Sequence, residues 1–206
     1  MTSRLFYTDD TLTAFVDVLS CTAHDDGFAV ILKATPFHPQ GGGQPSDTGW
    51  IGASEVLKVF QEQDRIVHIV QQAVPLGTTQ ARVDEARREL NSRLHSMGHL
   101  IGVCGARAGW KPIKAHHWPG ECRVSFMPGE NAQPMHIEQI KEQLEQWISA
   151  DLPRVIQVNA DQRFIGFGEL PSYPCGGTHV SSLKQLHAAP TLSISEKKGV
   201  LAVRYQ

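Results

Sequence analysis

The 206-residue sequence has no apolar run of membrane-spanning length and no leader-like pattern over Met1 to Thr11, which predicts a soluble, cytoplasmic protein. Cysteine is scarce: Cys21, Cys104, Cys122 and Cys175 stand far apart. So thin a set excludes a disulfide framework, and in a reducing compartment it predicts free thiols or metal ligands. Internal repeats and low-complexity tracts are absent too, and 41% hydrophobic with 19% charged residues is a globular composition. Neither charge sign dominates, since the formal net charge is −2. The balance is uneven, however. Arg82 to Lys114 carries a net +4 and leaves −6 for the rest, and a local basic patch matters more for nucleic-acid binding than the total.

Two regions differ in pattern. Residues 1–80 read as β structure: LTAFVDVL and FAVILKA are short runs rich in Val, Phe and Ile, and EVLKVF and RIVHIV flank the polar turn QEQD. A Gly- and Pro-dense loop, FHPQGGGQPSDTGWI, lies between them. From residue 81 the character changes. Asp84 to about Ala108 lacks proline, places Leu90, Leu94, Met97 and Ile101 at helical spacing, and has Asp84 as a candidate cap. A second helix is expected from near Pro134, with Ile137, Ile140, Leu144, Trp147 and Ile148 as its apolar stripe. RVIQVNA reads as a strand, and TLSISEKKGVLAVRY as a hairpin turning at Lys197-Lys198-Gly199. The expected division is therefore 1–80 and 81–206, and the class α+β.

The chemistry-bearing residues come as two pairs. His95 and His99, in HSMGH, lie at i and i+4, so one helical turn puts both imidazoles on one face. Cys175 and His179, in YPCGGTHVS, have the same spacing across a loop that Gly176 and Gly177 allow to bend. Either pair alone is common by chance. Together they offer one thiolate and three imidazoles, a donor set that suits a single Zn2+ per chain. The remaining cysteines read as small core residues.

At these residues the sequence resembles the alanyl-tRNA editing proteins, the freestanding AlaX-type deacylases and the editing domain of alanyl-tRNA synthetase. GGGQPSDTG is similar to the family's glycine-rich motif, VDEARRELNSRLHSMGHL to its histidine helix, and CGGTHV to its Cys/His motif, in the family's order. The resemblance implies a small N-terminal β-barrel at 1–80 carrying the glycine-rich loop. It also implies an α+β, zinc-containing editing domain at 81–206, like the second additional domain of threonyl- and alanyl-tRNA synthetases.

The implied activity is that of a trans-acting hydrolase that deacylates alanine tRNA mischarged with serine, and after it glycine. The implied partner is the acceptor end of that tRNA. On this reading Gly41, Gly42, Gly43 and Gln44 approach the terminal adenosine. Arg87 and Lys114, with Lys111, face phosphates, although Arg87 also has Asp84 as a possible ion-pair partner. The family places a polar contact to the amino-acid side chain near KPIKAHHWPG, where His116 is the first candidate and His117 the second. Two rival readings follow from the same residues: an editor of another tRNA, such as threonine tRNA, and a zinc-stabilised RNA-binding module without catalysis.

Overall fold

The structure, a computed structural model, describes residues 2–159 and 162–206; Met1, Asp161 and Ala160, the last of these the end of the expected RVIQVNA strand, lie outside the described residues. The chain is mixed α/β, mostly strand, and separates into two compact units. One runs up to Gly41 and continues over Pro45–Leu90; the other comprises Gly42–Gln44 and Asn91–Gln206.

The first unit contains β1 (Ser3–Arg4), β2 (Thr13–His24), β3 (Gly27–Leu32), β4 (Ala34–Thr35), β5 (Gly49–Ile51), β6 (Ser54–Glu62), β7 (Arg65–Val70) and β8 (Gly77–Val83). Six of them pair antiparallel in the order β2-β3-β7-β6-β5-β8, and β8 pairs back onto β2, so the ring of hydrogen bonds closes. The cause is period-two alternation. Val16 and Val18 of β2 point inward beside Val30, Leu32, Ile51, Val56, Ile66 and Val70, whereas Phe15 on the other face is 78% exposed. The β6–β7 hairpin runs further than the sequence suggests. Gln61 and Glu62 still pair with Ile66 and Arg65, which leaves only Gln63 and Asp64 to turn, with Gln63 at φ 51°. β8 likewise continues past residue 80 to Val83.

The unit also holds a buried ion pair. Asp47 is fully buried and accepts from the Arg88 guanidinium and, at 2.6 Å, from the His38 N–H.

The second unit comprises most of α1 (Glu85–Arg107), then β9 (Trp110–His116), β10 (Arg123–Pro128), α2 (Ile137–Ser149), β11 (Arg154–Asn159), β12 (Gln162–Phe167), β13 (Tyr173–Pro174), β14 (Leu192–Lys197) and β15 (Val200–Tyr205). β14-β15-β10-β9 form one antiparallel sheet and β11-β12-β13 another. Leu100 and Ile101 of α1, and Ile140, Leu144, Trp147 and Ile148 of α2, pack with Val124, Phe126, Leu201 and Val203 of the larger sheet.

Asp84 caps α1 as expected, its Oδ1 accepting the Arg87 N–H at 3.1 Å. Leu90 does not join the core and is 42% exposed, because the buried side of the first turns is polar: Arg88, Asn91, Ser92, His95 and Ser96. α2 begins at Ile137, not near Pro134. Gln133 is tied at both ends, its N–H to the Ala108 carbonyl and its own carbonyl to the Trp110 indole, which keeps Pro134 in the connection. Among the described residues no helix is long and apolar enough to cross a membrane.

Candidate metal centre

The two pairs meet. One turn of α1 presents His95 and His99 with ring centroids 5.2 Å apart, and the loop after β13 brings in Cys175 and His179. One ligand atom from each of the four lies within 4.8 Å of all the others. A tetrahedral ion with a metal–sulfur bond of about 2.3 Å and metal–nitrogen bonds of about 2.0 Å sets sulfur–nitrogen edges of roughly 3.5 Å. Cys175 Sγ stands 3.5 Å from His95 Nε2 and 3.2 Å from His179 Nε2, close to that edge.

The tautomers agree with this geometry. Gln44 Oε1 accepts the Thr178 N–H at 3.0 Å, which fixes that atom as the amide oxygen. The His95 Nδ1–H therefore donates to it, at 2.7 Å, and the Nε2 lone pair is the one turned to Cys175. Ser96 gives its hydroxyl proton to the Ser92 carbonyl at 2.7 Å, so its Oγ accepts from His179 Nδ1–H at 3.1 Å. That again leaves an Nε2 lone pair facing the sulfur. Metal-binding histidines are held in this way by their second nitrogen. The Gln44 amide N–H donates to Thr178 Oγ1 at 2.9 Å, and the Ser92 hydroxyl donates to the same atom at 2.8 Å.

The electrostatics suit a cation. Burial pushes His99 down to about 4 and His179 well below the usual histidine range, so both imidazoles stay neutral, the form that ligates. Burial pushes the Cys175 thiol up, with the Gly177 N–H and Arg163 opposing it. An incoming cation supplies the positive charge that releases this proton. Arg163 ties the loop by donating to the Cys175 and Gly177 carbonyls, and Arg154 donates to the His179 carbonyl at 2.8 Å. The residues present fit zinc.

Two glycines are fixed by close approach. A Cβ on Gly177 would stand 2.2 Å from His95 Cε1, and one on Gly98 would stand 2.3 Å from His117 Cε1. The small residues in HSMGH and CGGTH thus make room for imidazole rings. Beside the cluster lies a cavity of about 230 Å3, lined among others by Gly42, His95, His99, His117, Tyr173 and Cys175. His117 stacks on His95 with centroids 4.2 Å apart. Tyr205 gives its hydroxyl proton to the Leu94 carbonyl, so its oxygen accepts from His117 Nδ1–H and leaves His117 Nε2 as an acceptor. Burial holds His117 down to about 3, so it is neutral.

The other expected site residues divide. Gly42 lines the cavity, the Gly43 carbonyl accepts the His117 N–H at 2.9 Å, and Gln44 is fully buried with its amide engaged as above. Gly41 and Arg87 belong to the first unit, where the Arg87 Nε donates to the Ser46 carbonyl at 2.9 Å. Lys114 is exposed on β9. His116 does not share the cavity with its neighbour; its Nε2 lies 3.4 Å from Glu121 and its ring stacks on Trp118. The alternation of β9 decides this, since adjacent residues take opposite faces. Ser92, Ser96, Arg154 and Arg163 were not singled out from the sequence; the signal for the two serines was their place on the same helical face as the histidines. Cys104 and Cys122 are buried, with thiols pushed up to about 12 and about 11 by that burial.

No protein-family model matches the chain. Among known proteins it is 26% identical to the alanyl-tRNA editing protein AlaX-M of Pyrococcus horikoshii, over 90% of this chain and 88% of that protein. It is 31% identical to the alanyl-tRNA editing protein Aarsd1 of Bos taurus, over 84% of this chain and 44% of that one. It is 30% identical to the alanine–tRNA ligase of Frankia alni over 86% of this chain, which spans about a quarter of the ligase (24%). With similarity over nearly its whole length, and with three histidines and one cysteine gathered at one point, the chain resembles the AlaX-type alanyl-tRNA editing proteins and their relatives within alanine–tRNA ligases.

Proposed function

We propose that the protein is an aminoacyl-tRNA deacylase that hydrolyses the ester of alanine tRNA mischarged with serine, and after it glycine, in the cavity beside the His95–His99–Cys175–His179 cluster. The observation that carries the proposal is the convergence of three imidazoles and one sulfur on a point bordering a cavity of about 230 Å3. Relatives named as alanyl-tRNA editing proteins support the same reaction class. Held by those four residues, zinc supplies Lewis acidity and a fixed positive charge.

The rest falls to the chain's own groups. Gln44 and Ser96 hold His95 and His179 in one tautomer, and in this reading Gln44 orients a ligand and does not touch adenosine. Gly42 and Gly43 border the entry of the terminal nucleotide, with Gly41 adjoining in the chain, while Lys114 and Arg87 meet phosphates. His117, and not His116, meets the amino-acid side chain. Its Nε2 accepts a hydrogen bond from a serine hydroxyl, and alanine leaves that acceptor unpaired. A site built around such a bond discriminates far better than one that measures size. The division into a binding region at 1–80 and an editing domain at 81–206 is part of the proposal.

Incubation with seryl-, glycyl- and alanyl-charged alanine tRNA, and with seryl-charged threonine tRNA, tests it. Release of serine from alanine tRNA with alanine spared is the expected result. Equal release from threonine tRNA would shift the substrate, and no release from any would remove the reaction. Four protein donors also complete a closed tetrahedron, the arrangement of structural zinc. That favours a second reading, an RNA-binding module in which zinc only maintains the fold. Unfolding on zinc removal without deacylation by the zinc-loaded protein is its signature.

A further inference from the structure

The sheet β14-β15-β10-β9 packs one face on the helices through Ala115, Val124, Val203 and Ile194. The register fixes what the other face carries. Ser193, Arg204, Arg123 and His116 lie in one row across the four strands, and Ser195, Ala202, Ser125 and Lys114 in the next. None of the eight is acidic, and none is buried.

Two features of this face are unusual. Arg123 and Arg204 are direct cross-strand partners, a placement that repels, and among the described residues neither has a carboxylate at ion-pair distance. Arg123 donates to the Glu121 carbonyl at 3.3 Å and Arg204 to Ser195 Oγ at 2.9 Å, leaving most of their N–H donors open. Both line a cavity of about 340 Å3 at this end of the sheet, together with Ser193 and Thr191. Glu121 lines the same cavity, with its carboxylate 3.4 Å from His116 Nε2. Beyond the row, Trp118 is 37% exposed and stacks nearly parallel on His116, with centroids 5.7 Å apart and planes at 7°.

We propose that this open face is a docking surface for RNA: Arg123 and Arg204 share backbone phosphate, and the Trp118–His116 stack receives an unpaired base. Facing guanidiniums across a cavity complement a phosphodiester, and a sequence-tolerant aromatic platform beside them is how single-stranded nucleic acid is held. The topology connects the surface to the candidate active site. β9 is the edge strand; Lys114 and His116 lie on the open side, while Ala115 and the following His117 line the cavity of the metal cluster. A strand laid over the open face reaches that cavity by turning once over the β9 edge. The inference rests on the deacylase reading for the identity of the RNA, a tRNA acceptor arm, and on nothing else in it.

The test uses uncharged alanine tRNA and the full, zinc-loaded protein, with binding followed by fluorescence anisotropy across a salt series. In Arg123→Gln/Arg204→Gln the slope of log affinity against log salt should fall by about 0.7 to 0.9, the loss of one shared phosphate, while Arg123→Lys/Arg204→Lys keeps it and controls for folding. Trp118→Ala should weaken binding about 5- to 100-fold with the slope unchanged. In deacylation, the double Gln variant should raise KM and leave kcat alone. An unchanged slope and affinity in the double Gln variant, or no RNA binding by the wild type, overturns the inference. Absence of hydrolysis of any charged tRNA by the wild type, with the slope change still seen in the double Gln variant, sinks the proposed reaction and leaves this surface standing.

Discussion

Both units bury histidines, and His68 of the first is opposite in kind to the cluster of the second. In the first unit His68 is fully buried, with Nδ1–H donating to the Val30 carbonyl at 3.1 Å and Nε2 meeting Thr35 Oγ1 at 2.8 Å. Every polar atom of that ring is answered by protein. In the second unit His95 and His179 each have Nδ1 held by a side-chain oxygen and Nε2 aimed at one sulfur. Basicity does not separate the two cases, because burial pushes both His68 and His99 down to about 4. What separates them is convergence. A structural histidine spends its lone pair on a donor within the fold, whereas lone pairs that converge on one sulfur make a donor set for a cation.

The largest effect expected from this contrast is at Cys175. Cys175→Ser removes the soft donor, so zinc per chain measured by elemental analysis should drop from near one to near none after dialysis. Deacylation should fall by more than about 100-fold, beyond what loss of an outer contact costs. His68→Gln should keep its zinc. Equal zinc in both variants would erase the distinction between the units.

Acid sharpens the comparison from the other side. The unfolded chain protonates His68 near its ordinary value of 6.5, whereas the folded chain resists until about 4. Protons therefore favour the unfolded chain between those two values. The stability lent by a neutral His68 is complete above about pH 6.5, is lost as pH falls toward 4, and amounts to about 3 kcal/mol. Urea unfolding at stepped pH should show a shallower acid loss in His68→Gln than in wild type, with the metal ligands titrating alike in both. Parallel curves would mean that His68 does not resist protonation.

The histidine helix was legible because a 3.6-residue period fixes which side chains share a face before any tertiary contact forms. Asp84 as its cap was legible for the same local reason. The ring of strands was legible from the residues as alternation, and its closure only through the family resemblance, since closure is the pairing of β8 with β2, more than 60 residues apart at the Thr13–Arg82 pair. Gln44 was visible as part of a glycine-rich loop, but its engagement with Thr178, 134 residues away, was not. That His117 lines the cavity and His116 does not was hidden as well, since it depends on where β9 ends and on which face the helix covers. Spacing along the chain reports local geometry, and long-range partners require the fold.

Gln44 gives the next smaller effect. Gln44→Ala leaves the Nδ1–H of buried His95 without an acceptor and frees the ring to rotate, so zinc affinity should fall about 10- to 100-fold. Competition with a chelating dye measures it, and an unchanged affinity would show that His95 is held by packing alone. The smallest effect separates two neighbours. His116 has a 24% exposed side chain and faces a 69% exposed Glu121, and such surface pairs contribute about 0.5 kcal/mol or less. His116→Gln should therefore leave zinc content and the urea midpoint within error of wild type. His117→Gln, one residue along, should spare zinc yet narrow the preference for seryl- over alanyl-tRNA. If the two variants behave alike in the selectivity assay, the face that β9 turns to the cavity is not the one that reads the amino acid.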